Sequence, residues 1–233
     1  MAKDEIAPFT GFDDTTFKFL RGLSRNNDKA WFEAHRADYQ AGYVEAARSF
    51  VAALGPRLEA FAPGISAEPR INGSIFRINR DVRFSKDKTP YKPHLDLWFW
   101  QGKHRGAGSP GFFFRLRHNE IIVGAGIHGF DKPGLSRYRD AVAGEDLGPA
   151  LARLEARLAK AGYPLEGEHY KKVPRGYDAD HPRARLLRFN ALHAAYSGKV
   201  PSEARSKKLV TFVAGHCKRL APLHGWLLEA MDA

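Results

Sequence analysis

Between residues 32 and 61, apolar side chains recur at Phe32, Tyr39, Tyr43, Ala47, Phe50, Leu54, Leu58 and Phe61. Steps of three, four and seven keep them on one side of a helix that turns every 3.6 residues. The stripe predicts a long helix, bent or split at Gly42, because a mid-helix glycine costs about 1 kcal/mol relative to alanine. Pro63-Gly64 ends it. Upstream, residues 1–12 read as an irregular lead-in. Asp13 reads as the N-cap of a short helix that runs through Leu23 and turns Phe17, Leu20 and Leu23 inward. A turn at 24–27 follows, and Asn27 or Asp28 caps the next helix. Trp31 lies off the stripe and reads as a packing residue.

The period changes to two after residue 74. Phe76, Ile78, Arg80, Val82 and Phe84 share one face of a predicted strand, and Arg77, Asn79, Asp81 and Arg83 share the other. Residues 85–90 carry turn chemistry. Leu95, Leu97 and Phe99 alternate with His94, Asp96, Trp98 and Trp100, and Phe112, Phe114 and Leu116 with Phe113, Arg115 and Arg117. His118-Asn119 then turns the chain into a strand from Ile121 through Gly126, whose glycines suggest a bulge or a close approach. The 101–110 stretch lacks the GxxxxGK[ST] phosphate-loop pattern and reads as a connector.

Helices are predicted over 135–142 and 145–161, the second stopped by Gly162 and Pro164. Asp180 reads as the cap of a short helix with Pro182 near its first turn, residues 192–196 as a further strand, and the C-terminus as helix broken or restarted at Pro222. The sum is an α+β fold in a single domain, 1–233, with an antiparallel sheet of about four or more strands flanked by N- and C-terminal helices.

Composition narrows the function classes. Hydrophobic residues make up 43% of the 233, enough for a packed core. The start lacks a signal-peptide pattern, and no apolar run approaches the roughly 20 residues of a membrane helix, so a cytoplasmic protein with no membrane partner is expected. Cys217 is the single cysteine, which excludes an intrachain disulfide and a cysteine-based zinc site; it falls on an apolar helix face as a packed thiol. There is no GxSxG, no dinucleotide fingerprint and no HExxH, and neither metal nor cofactor is expected.

Charge adds a different picture. The formal net charge is +11. Residues 77–92 hold six Lys/Arg against two Asp, 169–188 six against two, and 199–219 six against one Glu, so the remainder of the chain is slightly acidic. Basic stretches that meet in space attract anions. The 77–92 set reads either as an anion site or as an internal ion-pair network in which Asp81 pairs with Arg77, Arg80 or Arg83. If that pair is buried, Asp81→Ala is expected to lose stability markedly.

The ligand-binding candidates are Arg77, Arg80, Arg83, Lys86, Lys88, Tyr91 and Lys92, with Lys171, Arg175 and Tyr177 from the second stretch. Placed face to face, the two stretches would line one cleft for a phosphate or carboxylate. Asp81, Asp180 and His181 are the weak catalytic candidates, Asp180-His181 as a carboxylate–imidazole pair or, equally simply, as a helix cap and a surface histidine. Whether any reaction follows does not emerge from these residues, nor does an oligomeric state.

Three function classes stay open: a protein that binds an anionic small molecule, with or without a reaction, a nucleic-acid module ranked second, and a structural or interaction protein. Trp98 and Trp100 are the stacking candidates for nucleic acid. The second class requires submicromolar binding near 150 mM salt, and only weak low-salt binding is expected.

The motif Arg80-Asp81-x-Arg83-Phe84-Ser85-Lys86-Asp87-Lys88-x-Pro90-Tyr91-Lys92 resembles the signature of domain-of-unknown-function family 2461, conserved hypothetical proteins found mainly in bacteria. Asn26-Asn27 with Trp31-Phe32, Gly124-x-Gly126 before a helix, and Pro174-x-Gly176-Tyr177-Asp178-x-Asp180-His181-Pro182 match its pattern as well. The resemblance spans most of the chain and implies no established activity.

Overall fold

A computed structural model describes residues 5–102, 105–106 and 108–232. The fold is α+β, built on a five-stranded antiparallel sheet of order β1-β2-β3-β5-β4. The strands are β1 (Leu95–Trp100), β2 (Gly111–Leu116), β3 (Glu120–Ile127), β4 (Glu166–Glu168) and β5 (Phe189–Lys199). Two compact units divide the chain: Met1–Phe99, Phe113–Val123 and Ser197–Gly215 make the first, and Trp100–Phe112, Gly124–Tyr196 and His216–Ala233 the second.

In the first unit, helix α1 (Asp14–Arg25) begins where expected. The Asp13 carboxylate accepts from the Thr16 amide at 3.0 Å, and Phe17, Leu20 and Leu23 are buried. Asp28, not Asn27, caps α2 (Lys29–Ala34) through the Trp31 amide. The long stripe is then split into α3 (Arg36–Asp38), a π-helical segment Tyr39–Glu45 and α4 (Ala46–Glu59). The physical reason lies at Gly42. Its carbonyl accepts from Thr16 Oγ1 at 2.6 Å, and a Cβ there would stand 2.8 Å from the Thr16 amide nitrogen. The backbone must pass against α1, and the π turn resets the register so that Tyr43, Ala47, Phe50, Leu54 and Leu58 stay buried. The lead-in has no regular structure, but it is packed. Phe9 and Phe12 join Phe50 and Phe114 in an aromatic cluster, and the Phe12 amide donates to the Ala204 carbonyl at 2.8 Å. Ala204 belongs to the 3₁₀ turn Ser202–Arg205.

The predicted strand at 76–84 is a correction. Only isolated bridges form, Ile75 with Leu97 and Asn79 with Tyr91. Backbone bonds run from Trp98 to Ser74, Phe76 to Asp96, Lys92 to Ile78 and Arg80 to Pro90. Pro90 and Pro93 have no N–H to give, so the ladder is interrupted and stops at Arg80. Beyond it Phe84 turns outward. In β1 the stacking candidates Trp98 and Trp100 are not presented to solvent: each is 5% exposed.

In the second unit, α5 (Lys132–Ala143) starts at an Asp131 cap, α6 is Leu147–Lys160, and α7 is the short Ala184–Leu187. Asp180 does not cap α7, which starts after Arg183 without a side-chain cap; the Asp180 amide instead donates to Asp178 Oδ1 at 3.0 Å. β4 meets β5 through Glu166 opposite His193 and Glu168 opposite Phe189, a bulge with Gly167 at φ +131°. Here Tyr138 and Trp226 anchor the core, donating to the Leu186 and Leu147 carbonyls. The predicted break at Pro222 is absent: α8 is continuous over Lys208–Asp232. Cys217, Leu220, Leu223 and Leu227 are buried on both sides of the proline, and their packing holds the helix through the missing N–H. The 101–110 connector, of which 103, 104 and 107 lie outside the described residues, is closed by the Gln101 amide on the Pro110 carbonyl at 3.0 Å.

Candidate functional site

The basic motif folds as an irregular hairpin whose tip is closed by one arginine. Arg80 ends the backbone pairing with Pro90, and its guanidinium then reaches across the loop. Nη1 donates to the Asp87 carboxylate, to the Thr89 hydroxyl and to the Thr89 carbonyl at 3.2 Å; Nη2 reaches Ser85 Oγ at 3.5 Å. Asp87 accepts in addition from the Thr89 amide at 2.9 Å and its hydroxyl at 2.8 Å. These bonds from Thr89, and then from Arg80, hold the Asp87 carboxyl down at about 2. A planar guanidinium with donors in a fixed fork suits such a clamp, where a lysine would supply a single point of charge.

The base of the hairpin is tied to the α1–α2 turn. Asn27 donates to the Tyr91 carbonyl at 2.9 Å and accepts from the Tyr91 amide at 3.0 Å, so one side chain replaces a strand partner across 64 residues of chain. The Tyr91 ring stacks on Phe32 with centroids 4.3 Å apart. Two motif segments far apart in sequence therefore form one structure. Trp31 stacks on His35 at 3.9 Å and fills the space over Gly22, a packing role as expected.

At the tip, Asp81 is held by Arg83: Nε to Oδ1 at 3.0 Å and Nη2 to Oδ2 at 2.7 Å. The pairing is the expected one, but it is not buried, with the two side chains 46% and 76% exposed. The loop's two carboxylates are thus each engaged by an arginine. Arg77, Lys86 and Lys88 are exposed; the Arg77 charge acts on Asp81 without a direct ion-pair contact, and Lys86 and Lys88 form no ion pair among the described residues. Lys88 Nζ donates to the Val82 carbonyl at 2.9 Å, which fixes its position and leaves its charge uncompensated. Lys92 lies over the Phe76 ring at 5.1 Å.

Deeper in the same unit, β1 and β2 carry a second charged group. Asp96 accepts two bonds from Arg115, at 2.6 and 3.0 Å, and His94 Nε2 stands 3.1 Å from its other oxygen. Burial raises the Asp96 carboxyl, but hydrogen bonds from His94 and Arg115 outweigh it and hold the group at about 2. His94 Nδ1 is buried and has no hydrogen-bond partner among the described residues. His94 and Asp96 are each 15% exposed, and the bonds between Asp96 and Arg115 join β1 to β2. Arg115 as the partner of Asp96 was not anticipated, although the β1–β2 hairpin is the pattern from which a cross-strand partner is read.

The second basic stretch lies in the other unit. Lys171, Lys172 and Arg175 are exposed. Tyr177 donates to Asp140 Oδ1 at 2.7 Å; burial, and then that bond, push its phenol up to about 12. His181 Nδ1 accepts from the Arg183 amide at 3.0 Å, and its Nε2 faces the Arg183 guanidinium. The Asp180 and His181 side chains form no hydrogen bond or ion pair with each other among the described residues. Arg183 itself donates to the Val142, Ala143 and Gly144 carbonyls, closing the end of α5. Gly126, at φ +147°, lies where a Cβ would overlap the backbone at Leu192 and His193, so this glycine lets β3 approach β5. No group of three or more His, Cys, Asp or Glu among the described residues is placed to hold a metal ion.

Fold and motif define an α+β protein with a clamped basic hairpin as its most distinctive surface. The chain belongs to the family described as conserved hypothetical protein (DUF2461), whose model matches residues 15–226. Among curated proteins no match is found. No helix among the described residues is long and apolar enough to cross a membrane.

Proposed function

We propose that the protein binds a phosphate- or carboxylate-bearing partner at the hairpin tip, with Arg77, Lys86 and Lys88 as the contacting cations and Arg83 at its edge. The observation that supports this reading is the disposition of charge. Arg80 takes up Asp87 and Arg83 takes up Asp81, with Arg77 also near Asp81, so the loop has no carboxylate left to pair with Lys86 and Lys88. Arg80 is accordingly scaffold, and Tyr91 is its foundation through Asn27 and Phe32. A clamped loop holds cations at fixed positions before an anion arrives, which lowers the ordering cost of binding. The cations are exposed, which favours a partner met at the surface over a small substrate enclosed in a pocket, and no reaction is proposed.

Thermal unfolding in phosphate or sulfate against chloride at equal ionic strength tests the reading. A ligand bound only by the native state stabilises it, by about 2.7 kcal/mol at a hundred times Kd. The polyvalent anions are expected to raise Tm above the chloride value, and Lys86→Ala with Lys88→Ala to remove the difference. Equal Tm in all three salts would refute it.

A further inference from the structure

The hairpin tip carries a residue that charge alone does not explain. Phe84 is 95% exposed, and the only other exposed large hydrophobic residue among those described is Tyr170, at 39%. Its alternation with Phe76, Ile78 and Val82 would turn it inward, and Ile78 is indeed buried. The chain prevents this beyond Arg80. The Arg80 clamp, the Asp81–Arg83 pair and the bond from Lys88 to the Val82 carbonyl fix the backbone on both sides of residue 84. Burying a phenylalanine side chain is favourable, and here that gain is forgone in the free protein. The Arg83 guanidinium lies 5.8 Å from the ring centroid.

We infer that the anionic partner is a single-stranded nucleic acid, with Phe84 as a platform on which a base stacks and Arg83, Lys86 and Lys88 as contacts to the flanking phosphates. The inference rests on the anion-binding reading above and specifies its ligand; it reverses the expectation of only weak low-salt binding, because an exposed ring stands at Phe84 and not at Trp98 or Trp100. A rigid aromatic ring set among cations matches the alternation of base and phosphate along a single strand. In a duplex the base faces are already covered by their neighbours, so a lone ring at a tip has nothing to stack on. Trp98 and Trp100, the stacking residues the sequence offers, are buried; Phe84 takes that role in their place.

The test is fluorescence anisotropy of a labelled oligo-dT at about 150 mM salt, with inorganic polyphosphate as a base-free competitor. Phe84→Ala is expected to weaken oligo-dT binding about tenfold, within the range for loss of one stacked base. It should leave polyphosphate binding unchanged, and F84W should restore oligo-dT affinity. Lys86→Ala with Lys88→Ala should weaken both ligands. Equal affinity of the wild type and F84A for oligo-dT overturns the stacking inference and leaves anion binding standing. Failure of both ligands to bind overturns both. Phe84-dependent binding to vesicles of anionic phospholipid without oligo-dT binding overturns the inference in favour of a lipid surface. An exposed site makes F84A safe for folding, and an unchanged Tm verifies it.

Discussion

Single residues divide the basic motif into members that build and members that face out. Arg80 builds. Its partners lie seven and nine residues away across a loop, at Asp87 and Thr89, so reading outward along the chain does not find them. Arg80→Met is expected to free the tip: amide exchange at 85–89 should rise by at least tenfold while the rest of the first unit stays protected, and unchanged exchange would refute the clamp. Asp81 was legible as a paired residue because three arginines lie within four positions, yet its exposure was not legible. Alternation marks two faces but does not say which one the chain covers. Asp81→Ala is therefore expected to leave the denaturation midpoint where it is, since exposed ion pairs contribute little.

Asp96 behaves differently. Its folded-state value, about 2, lies below the ordinary 3.8. The stability it lends is present above the unfolded value and is lost as pH falls from about 4 to about 2, on the order of 2 kcal/mol. Asp96→Asn should flatten that limb of the stability–pH curve, measured by urea unfolding at pH 2.5 and pH 6; an identical slope would count against the Arg115–Asp96–His94 group.

At the level of elements, the sequence was most informative where one signal acted alone. The strands β1 and β2 were read from alternation, β3 from the turn at His118-Asn119, α1 from a cap and an apolar stripe, and the end of α6 from Gly162 and Pro164. It was least informative where two constraints compete. The stripe over 32–61 calls for one helix, but the contact of Gly42 with α1 resolves it into a π turn. Alternation over 76–84 calls for a strand, but Pro90 and Pro93 withhold its partners. Pro222 calls for a break, and the buried face of α8 prevents one. The Gly124-x-Gly126 segment was read correctly as a close approach. Gly126→Ala is expected to cost more than about 4 kcal/mol or to abolish soluble protein, because positive φ and steric overlap act together. Gly129→Ala, in open space, should change stability by less than about 0.5 kcal/mol. Comparable losses at the two sites would show that the approach of β3 to β5 is not what Gly126 serves.

For the whole molecule, the net charge of +11 and its three concentrations were legible from the sequence, whereas their division between two compact units was not. A charge count follows chain order; the units interleave segments from both ends of the chain. The same interleaving gives the single cysteine an unexpected use. Cys217 is buried in α8, and burial pushes its thiol up, so the native protein presents almost no thiolate to an alkylating reagent. Modification must wait for the packing around Cys217 to open. The chain thus carries an internal stopwatch: the rate at which iodoacetamide consumes one thiol per molecule reports how often that packing opens, without a label or an introduced residue.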